Sequence, residues 1–222
     1  MSVEVLMKDS NNDLNIKEYF VLLNDVIPNA IYDIRYSSSN NFVGNCIDGY
    51  DEPYAILTKK ASKSLKKVND ALIPKGYCLK IFDAYRPQQA VNYFKHWATD
   101  INDIRMKKYY YPNIDKKLLF EKGYIASKSS HSRGSTVDLT LYNIKTNKDV
   151  DMGGSFDYFD ESSNSNYKKI TEEQYNNRMF LRKIMLSHGF TGIDEEWWHF
   201  TLKNEPFPKV YFDFPVNSKL FK

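Results

Sequence analysis

The run Thr58-Lys59-Lys60-Ala61-Ser62-Lys63-Ser64-Leu65-Lys66-Lys67-Val68-Asn69-Asp70-Ala71-Leu72, with Pro74, Gly76 and then Tyr77-Cys78-Leu79-Lys80-Ile81-Phe82 behind it, decides the fold class. Ala61, Leu65, Val68 and Leu72 recur at helical spacing; Thr58 opens that helix and Pro74 with Gly76 ends it. Its opposite face carries Lys59, Lys63, Lys66 and Lys67, which reads as a solvated surface. A strand over 77–82 leads into Asp83-Ala84-Tyr85-Arg86, and Pro87 suits the first position of a second helix reaching Ala98. The apolar stripe of that helix, Val91, Phe94 and Trp97, reads as core. Further out, Thr136–Tyr142 is a second strand by composition. Thr171, with Glu172 and Glu173, starts a helix that runs to His188 and is closed by Gly189. Trp197–Leu202 is a third strand, and the polar stretch 160–169 is an exposed loop. Strands and helices do not alternate strictly, so the expected class is α+β.

A chain of 222 residues supports one generous core without disulfides, and nothing rich in Gly, Pro or Ser divides it, so residues 1–222 are expected to form a single domain. Lys and Arg number 31 against 28 Asp and Glu; the net charge of +3 is too small and too dispersed for a nucleic-acid-binding face. No apolar run reaches the roughly 20 residues of a membrane helix. Residues 1–15 have no apolar stretch of signal-peptide length, so the expectation is a soluble, cytoplasmic protein. Cys46 and Cys78 have neither a disulfide framework nor zinc-finger spacing.

Only four histidines occur. His96 in a helix and His188 at a helix C-terminus have structural accounts. His131 stands in the polar stretch Ser127-Lys128-Ser129-Ser130-His131-Ser132-Arg133-Gly134, just before a strand whose lone acid is Asp138. A buried carboxylate there needs a compensating cation or a metal. His199 follows Glu196-Trp197-Trp198, and a strict strand would point Glu196 and His199 to opposite faces, so Glu196 belongs in the turn before the strand if both reach one site. Two histidines and one carboxylate form a three-ligand set that leaves a zinc position open, beside which a free carboxylate acts as base. On spacing alone the metal stays one reading among others. Arg86, where a strand gives way to a helix, projects into a cleft or pairs with Asp83.

Several blocks in register resemble the zinc D-alanyl-D-alanine dipeptidase family, the VanX-like enzymes. They are Ser129–Leu141 (SSHSRGSTVDLTL), Glu196–Phe200 (EWWHF), Asp83–Pro87 (DAYRP) and Asp151–Asp157 (DMGGSFD). Asp33–Tyr36 with Asn41-Phe42, Asn204–Pro206 and Phe212–Pro215 extend the similarity along nearly the whole chain. The resemblance implies one Zn2+ per chain held by His131, Asp138 and His199, with Glu196 as general base and acid. It assigns Arg86 to the polarised carbonyl and its tetrahedral intermediate, and Tyr36, Ser129 and Asp157 to the substrate's amino end and backbone. It further implies a small central antiparallel sheet flanked by helices, with the zinc site in a narrow cavity. Thr136 and Gly154 depart from the family, which more often has Ala and Thr there; neither is a ligand.

The implied activity is hydrolysis of the dipeptide D-Ala-D-Ala, linked to peptidoglycan precursor metabolism or to glycopeptide resistance. Asp157 would pair with the substrate ammonium, so a free dipeptide is preferred to a longer peptide. No nucleic-acid or membrane partner is expected, and assembly into a homo-oligomer is compatible with the sequence. Two rivals remain: a D,D- or L,D-carboxypeptidase acting on cell-wall peptides, and a non-catalytic zinc-binding module, which has no need of Glu196 or Arg86.

Overall fold

A computed structural model describes residues 15–222 and the backbone of Leu6–Met7. In chain order the strands are β1 (Leu6–Met7), β2 (Phe20–Leu22), β3 (Ile31–Tyr32), β4 (Ile56–Thr58), β5 (Tyr77–Asp83), β6 (Thr136–Asn143), β7 (Lys148–Asp149), β8 (Phe190–Gly192), β9 (His199–Leu202) and β10 (Tyr211–Phe212). The helices are α1 (Ile16–Tyr19), α2 (Leu23–Val26), α3 (Lys59–Leu72), α4 (Gln88–Thr99), α5 (Lys107–Tyr110) and α6 (Glu172–Ser187). The architecture is mixed α and β.

Thr58 caps α3 by accepting a hydrogen bond from the Ala61 amide, and Ala61, Leu65, Val68 and Leu72 are fully buried. Each leucine sealed this way contributes roughly 2 kcal/mol. Asn69, on the same buried face, accepts from the Leu79 amide and so ties α3 to β5. At α4 the register shifts by one: Pro87 is the N-cap with ψ 148°, and the helix begins at Gln88. Val91, Phe94 and Trp97 are buried. The start of α6 is a capping box, in which the Thr171 side chain accepts from the Gln174 amide and Gln174 accepts from that of Thr171. The reciprocal partner is Gln174, not the glutamates.

The main sheet has six strands, ordered β3-β5-β6-β9-β8 with β7 on β6. Pairing is antiparallel except between β3 and β5, so the antiparallel sheet implied by the family resemblance carries one parallel edge pair. β6, the longest strand, is buried along most of its length, which explains its near-continuous apolar and β-branched reading. β9 begins at His199, two residues later than its composition suggests, and pairs with the unforeseen β8.

The stretch 160–169 is not simply an exposed loop. Ser163 and Ser165 are buried, the Ser165 amide donates to the Asp194 carbonyl at 2.7 Å, and the Trp197 amide donates to the Ser163 carbonyl at 3.1 Å. Its polar side chains concealed a segment whose backbone is bonded to the chain leading into β9. Among the described residues no helix is long and apolar enough to cross a membrane.

Candidate active site

The sheet register places the chemistry. Asp83 on β5 is opposite Asp138 on β6, and Asp138 is opposite His199 on β9. Cross-strand partners share a face, so three polar side chains from three adjacent strands converge at one end of the sheet. His131 joins them from a short 3-10 turn, Ser130–Arg133, just ahead of β6. The Ser129 side chain caps that turn, and Gly134 closes it at φ +76°. A Cβ at Gly134 would also lie 2.3 Å from the Phe20 ring, so both conformation and space require glycine.

His131 Nδ1 donates to the Ala84 carbonyl at 2.6 Å, which turns Nε2 inward, 3.2 Å from Asp138 Oδ2. His199 Nε2 bonds Ser130 Oγ at 3.2 Å, leaving Nδ1 3.0 Å from Asp138 Oδ1 and 3.3 Å from His131 Nε2. One ligand atom from each of His131, Asp138 and His199 falls within a 4.8 Å cluster, and all three residues are buried. Both imidazoles have the outer nitrogen engaged and the inner one aimed at a common point. Such outer-shell bonds fix the tautomer in which a histidine offers its lone pair to a metal. The donor set therefore fits a divalent metal.

Burial alone would raise the Asp138 carboxyl, but the two imidazoles outweigh it and hold it well below the usual carboxylate range. Glu196 lies ahead of β9 with Oε2 3.5 Å from His199 Nδ1. Burial raises its pKa, His199 opposes the rise and the Asp138 charge reinforces it. Arg86 donates from Nε to Asp83 Oδ2 at 2.9 Å, and its guanidinium lies over the rings of Tyr36 and Phe94 at 5.0 and 5.4 Å. The salt bridge and the projection into a cleft are thus both present: Asp83 holds Nε while Nη2 reaches within 3.5 Å of Asp138 Oδ2.

Asp157 sits across the cavity in the left-handed conformation, φ +59°, and accepts from Tyr36 Oη at 2.8 Å. Burial, aided by the Asp138 charge, pushes its carboxyl well above the ordinary range, and the Tyr36 bond works the other way. A buried carboxylate with a raised pKa and one neutral donor is suited to receiving a cation. All eight residues singled out in the sequence line one cavity of about 300 Å³: Tyr36, Arg86, Ser129, His131, Asp138, Asp157, Glu196 and His199. Phe42, Val91, Phe94, Tyr124, Ile125 and Phe159 form its apolar walls.

Two contributors escaped the sequence reading. Tyr50 donates to Asp83 Oδ1 at 2.6 Å, completing the bonding of the carboxylate that holds Arg86. It is 33 residues away, and no local pattern marks it. Ser130 orients His199; its place beside His131 was the available signal.

A small cavity with a candidate imidazole–carboxylate metal set, a glutamate beside that set and a guanidinium held by Asp83 has the equipment of a metal-dependent peptide hydrolase. The family follows from comparison with known proteins. Residues 17–217 match the D-ala-D-ala dipeptidase family of peptidases, M15, and the chain belongs to that family. It is 43% identical over 197 residues to a D-alanyl-D-alanine dipeptidase of Enterococcus faecium, covering 89% of this chain and 98% of that one. The corresponding figures for a Streptomyces coelicolor dipeptidase are 39%, 89% and 98%. An Escherichia coli dipeptidase is 32% identical, with 80% of this chain and 81% of that one covered.

Proposed function

We propose that this chain, as a single catalytic domain, hydrolyses the free dipeptide D-alanyl-D-alanine to two D-alanines, using one zinc ion held by His131, Asp138 and His199. The observation that carries the reading is the placing of Asp157, a buried carboxylate bonded to Tyr36, in the same small cavity as the metal set. An ammonium group next to the scissile bond gives that carboxylate its charge partner, and a free dipeptide supplies one where an internal peptide does not. Ser129 Oγ and Tyr36 Oη offer further polar contacts to the amino end.

Zinc bound at such a site lowers the pKa of water towards about 7 and polarises a carbonyl. Glu196 takes a proton from the attacking water and returns it to the leaving amine nitrogen, one group serving as base and then acid. Its raised pKa suits both halves of that transfer. Arg86 faces the charge developing on the carbonyl oxygen, and its positive charge does not titrate away. Burial works against that charge, and Tyr36, Asp83 and Asp138 more than offset it. Asp83, bonded by both Tyr50 and Arg86, keeps the guanidinium from swinging out. The reaction belongs to peptidoglycan precursor metabolism or glycopeptide resistance, and we assign it to the cytoplasm, where thiols such as Cys46 and Cys78 stay reduced.

The test is hydrolysis of D-Ala-D-Ala, L-Ala-L-Ala and an N-acetylated D,D-dipeptide by the zinc-loaded chain. Activity on the free D,D-dipeptide alone, abolished by a chelator and restored by zinc, is the expected result. Turnover of the acetylated substrate would move the assignment to a carboxypeptidase.

A further inference from the structure

Arg178 on α6 is 1% exposed, and its donors go to backbone carbonyls rather than to a carboxylate. Nε donates to the Met152 carbonyl at 2.6 Å, and Nη1 donates to those of Ser162 and Asn164 at 2.9 and 2.8 Å. Burying a guanidinium is costly, and a surface-facing lysine or glutamine would satisfy the helix equally well. The position is informative because of what the three carbonyls belong to.

Met152 opens the loop that ends at Asp157. On that side α6 adds Gln174, which donates to Asp151 Oδ2, and Asn177, which donates to the Asp151 carbonyl. Ser162 and Asn164 flank Ser163, whose carbonyl accepts from the Trp197 amide; the Ser165 amide in turn donates to the Asp194 carbonyl. Glu196 lies between those two anchored residues. A single buried cation thus joins the segment that carries the ammonium partner to the segment that holds the base. The remaining nitrogen, Nη2, is buried without a hydrogen-bond partner. Gly154 stands beside it: a Cβ there would lie 3.5 Å from Nη2, in ordinary contact, and the glycine does not use a left-handed conformation.

We infer that Arg178 is a positioning residue for the reaction, fixing Asp157 and Glu196 relative to one another, and that Gly154 leaves this tie one hydrogen bond short. The inference rests on the dipeptidase reading for its kinetic part only. A substrate gripped at its amino end by one loop and deprotonated from another needs both at fixed separation, because displacement of about 1 Å costs on the order of 10²-fold in rate.

The experiment compares wild type, R178M, R178K, G154S and the R178M/G154S double variant as zinc-loaded full chains, measuring zinc content, kcat and KM on D-Ala-D-Ala, and amide hydrogen exchange. R178M should keep its zinc, since the ligands sit on β6, β9 and the turn before β6. It should raise KM and lower kcat together, for a loss in kcat/KM of roughly 10- to 100-fold. Segments 151–157 and 162–165 with 194–197 should lose exchange protection together while β6 keeps its own, and R178K should recover part of both effects. G154S, with a hydroxyl for Nη2, should lower KM roughly two- to tenfold in the wild-type background and not in R178M. The inference is overturned if R178M leaves KM unchanged and lowers kcat only in proportion to the folded fraction. It is also overturned if only one of the two segments loosens, or if G154S acts alike in both backgrounds. Should R178M not fold, R178K takes its place as the single variant and as the second background for G154S, and the same criteria apply. A wild-type chain that does not hydrolyse D-Ala-D-Ala would refute the dipeptidase reading instead, and the exchange data would still judge the tie.

Discussion

The two walls of the cavity are built by different means. On one side, Asp83, Asp138 and His199 stand in a row across three hydrogen-bonded strands, with His131 bonded to the backbone between β5 and α4. On the other, Tyr36, Asp157 and Glu196 lie outside the strands and are held by scattered ties: Tyr36 on Asp157, Arg178 on the carbonyls of Met152, Ser162 and Asn164, and single backbone bonds from Ser163 and Ser165 to the chain around Glu196. Ladder hydrogen bonds fix a register that cannot slip without turning every side chain over. Side-chain ties fix a loop only as firmly as one or two bonds allow. The rigid wall therefore carries the candidate metal set, and the tied wall carries the groups proposed to meet a substrate entering and leaving.

This contrast makes loss of metal the signature of the sheet wall, and the largest expected effects fall on it and on the two groups proposed to act at the scissile bond, Glu196 and Arg86. His131→Ala should remove zinc and with it all measurable hydrolysis; metal content at the wild-type level would break the comparison outright. Glu196→Ala and Arg86→Ala should each lower kcat by on the order of 10² or more, by analogy with loss of an oxyanion donor or a general base. Glu196→Ala should retain its zinc, as measured by metal analysis of the purified protein. Equal zinc loss in His131→Ala and Glu196→Ala would mean that the glutamate is a ligand and not a base.

For the groups of the tied wall that meet the substrate's amino end, Tyr36 and Asp157, the effects should be smaller and appear in KM. Tyr36→Phe removes the one hydrogen bond that draws the Asp157 carboxyl downward, so that carboxyl should rise further. A group whose charged form binds substrate and whose pKa rises shifts the acid limb of kcat/KM to higher pH. The expected profile keeps its shape and moves its acid limb alkaline. An acid limb that moves the other way would remove Asp157 from the ammonium site.

The same contrast explains what could be read from sequence. α3, β5 and β6 announced themselves because burial on one face or both imposes a period on the side chains, and the cap at Thr58 has a residue-level signature. His131 and Asp138 stood out because an acid in an apolar strand demands a partner. Asp157 was reached by family resemblance only: a loop residue has no period, and the bond that holds it comes from Tyr36, 121 positions away. Ser163 and Ser165 are buried although polar side chains suggest exposure, because it is their backbone groups that bond to the chain leading into β9. β8, three residues long, is set by its pairing with β9 and by nothing local. Pro87 stands one position ahead of the helix it is expected to open, because its fixed φ suits an N-cap as well as the first helical turn.

The smallest effect sharpens the comparison most, because it separates stability from placement within the tied wall. Thr171 and Gln174 cap α6 reciprocally, and Gln174 also donates to Asp151 at the foot of the Asp157 loop. Thr171→Ala should cost about 1 kcal/mol, the usual worth of an N-cap side chain. For a chain of this length that corresponds to a fall in Tm of roughly 2–4 °C. Zinc content should not change, since no ligand touches α6, and KM should rise less than in R178M, because Gln174 keeps its own hold on Asp151. If Thr171→Ala raised KM as much as R178M did, the loop would be answering to the helix as a whole, and the buried guanidinium would have no special claim on it.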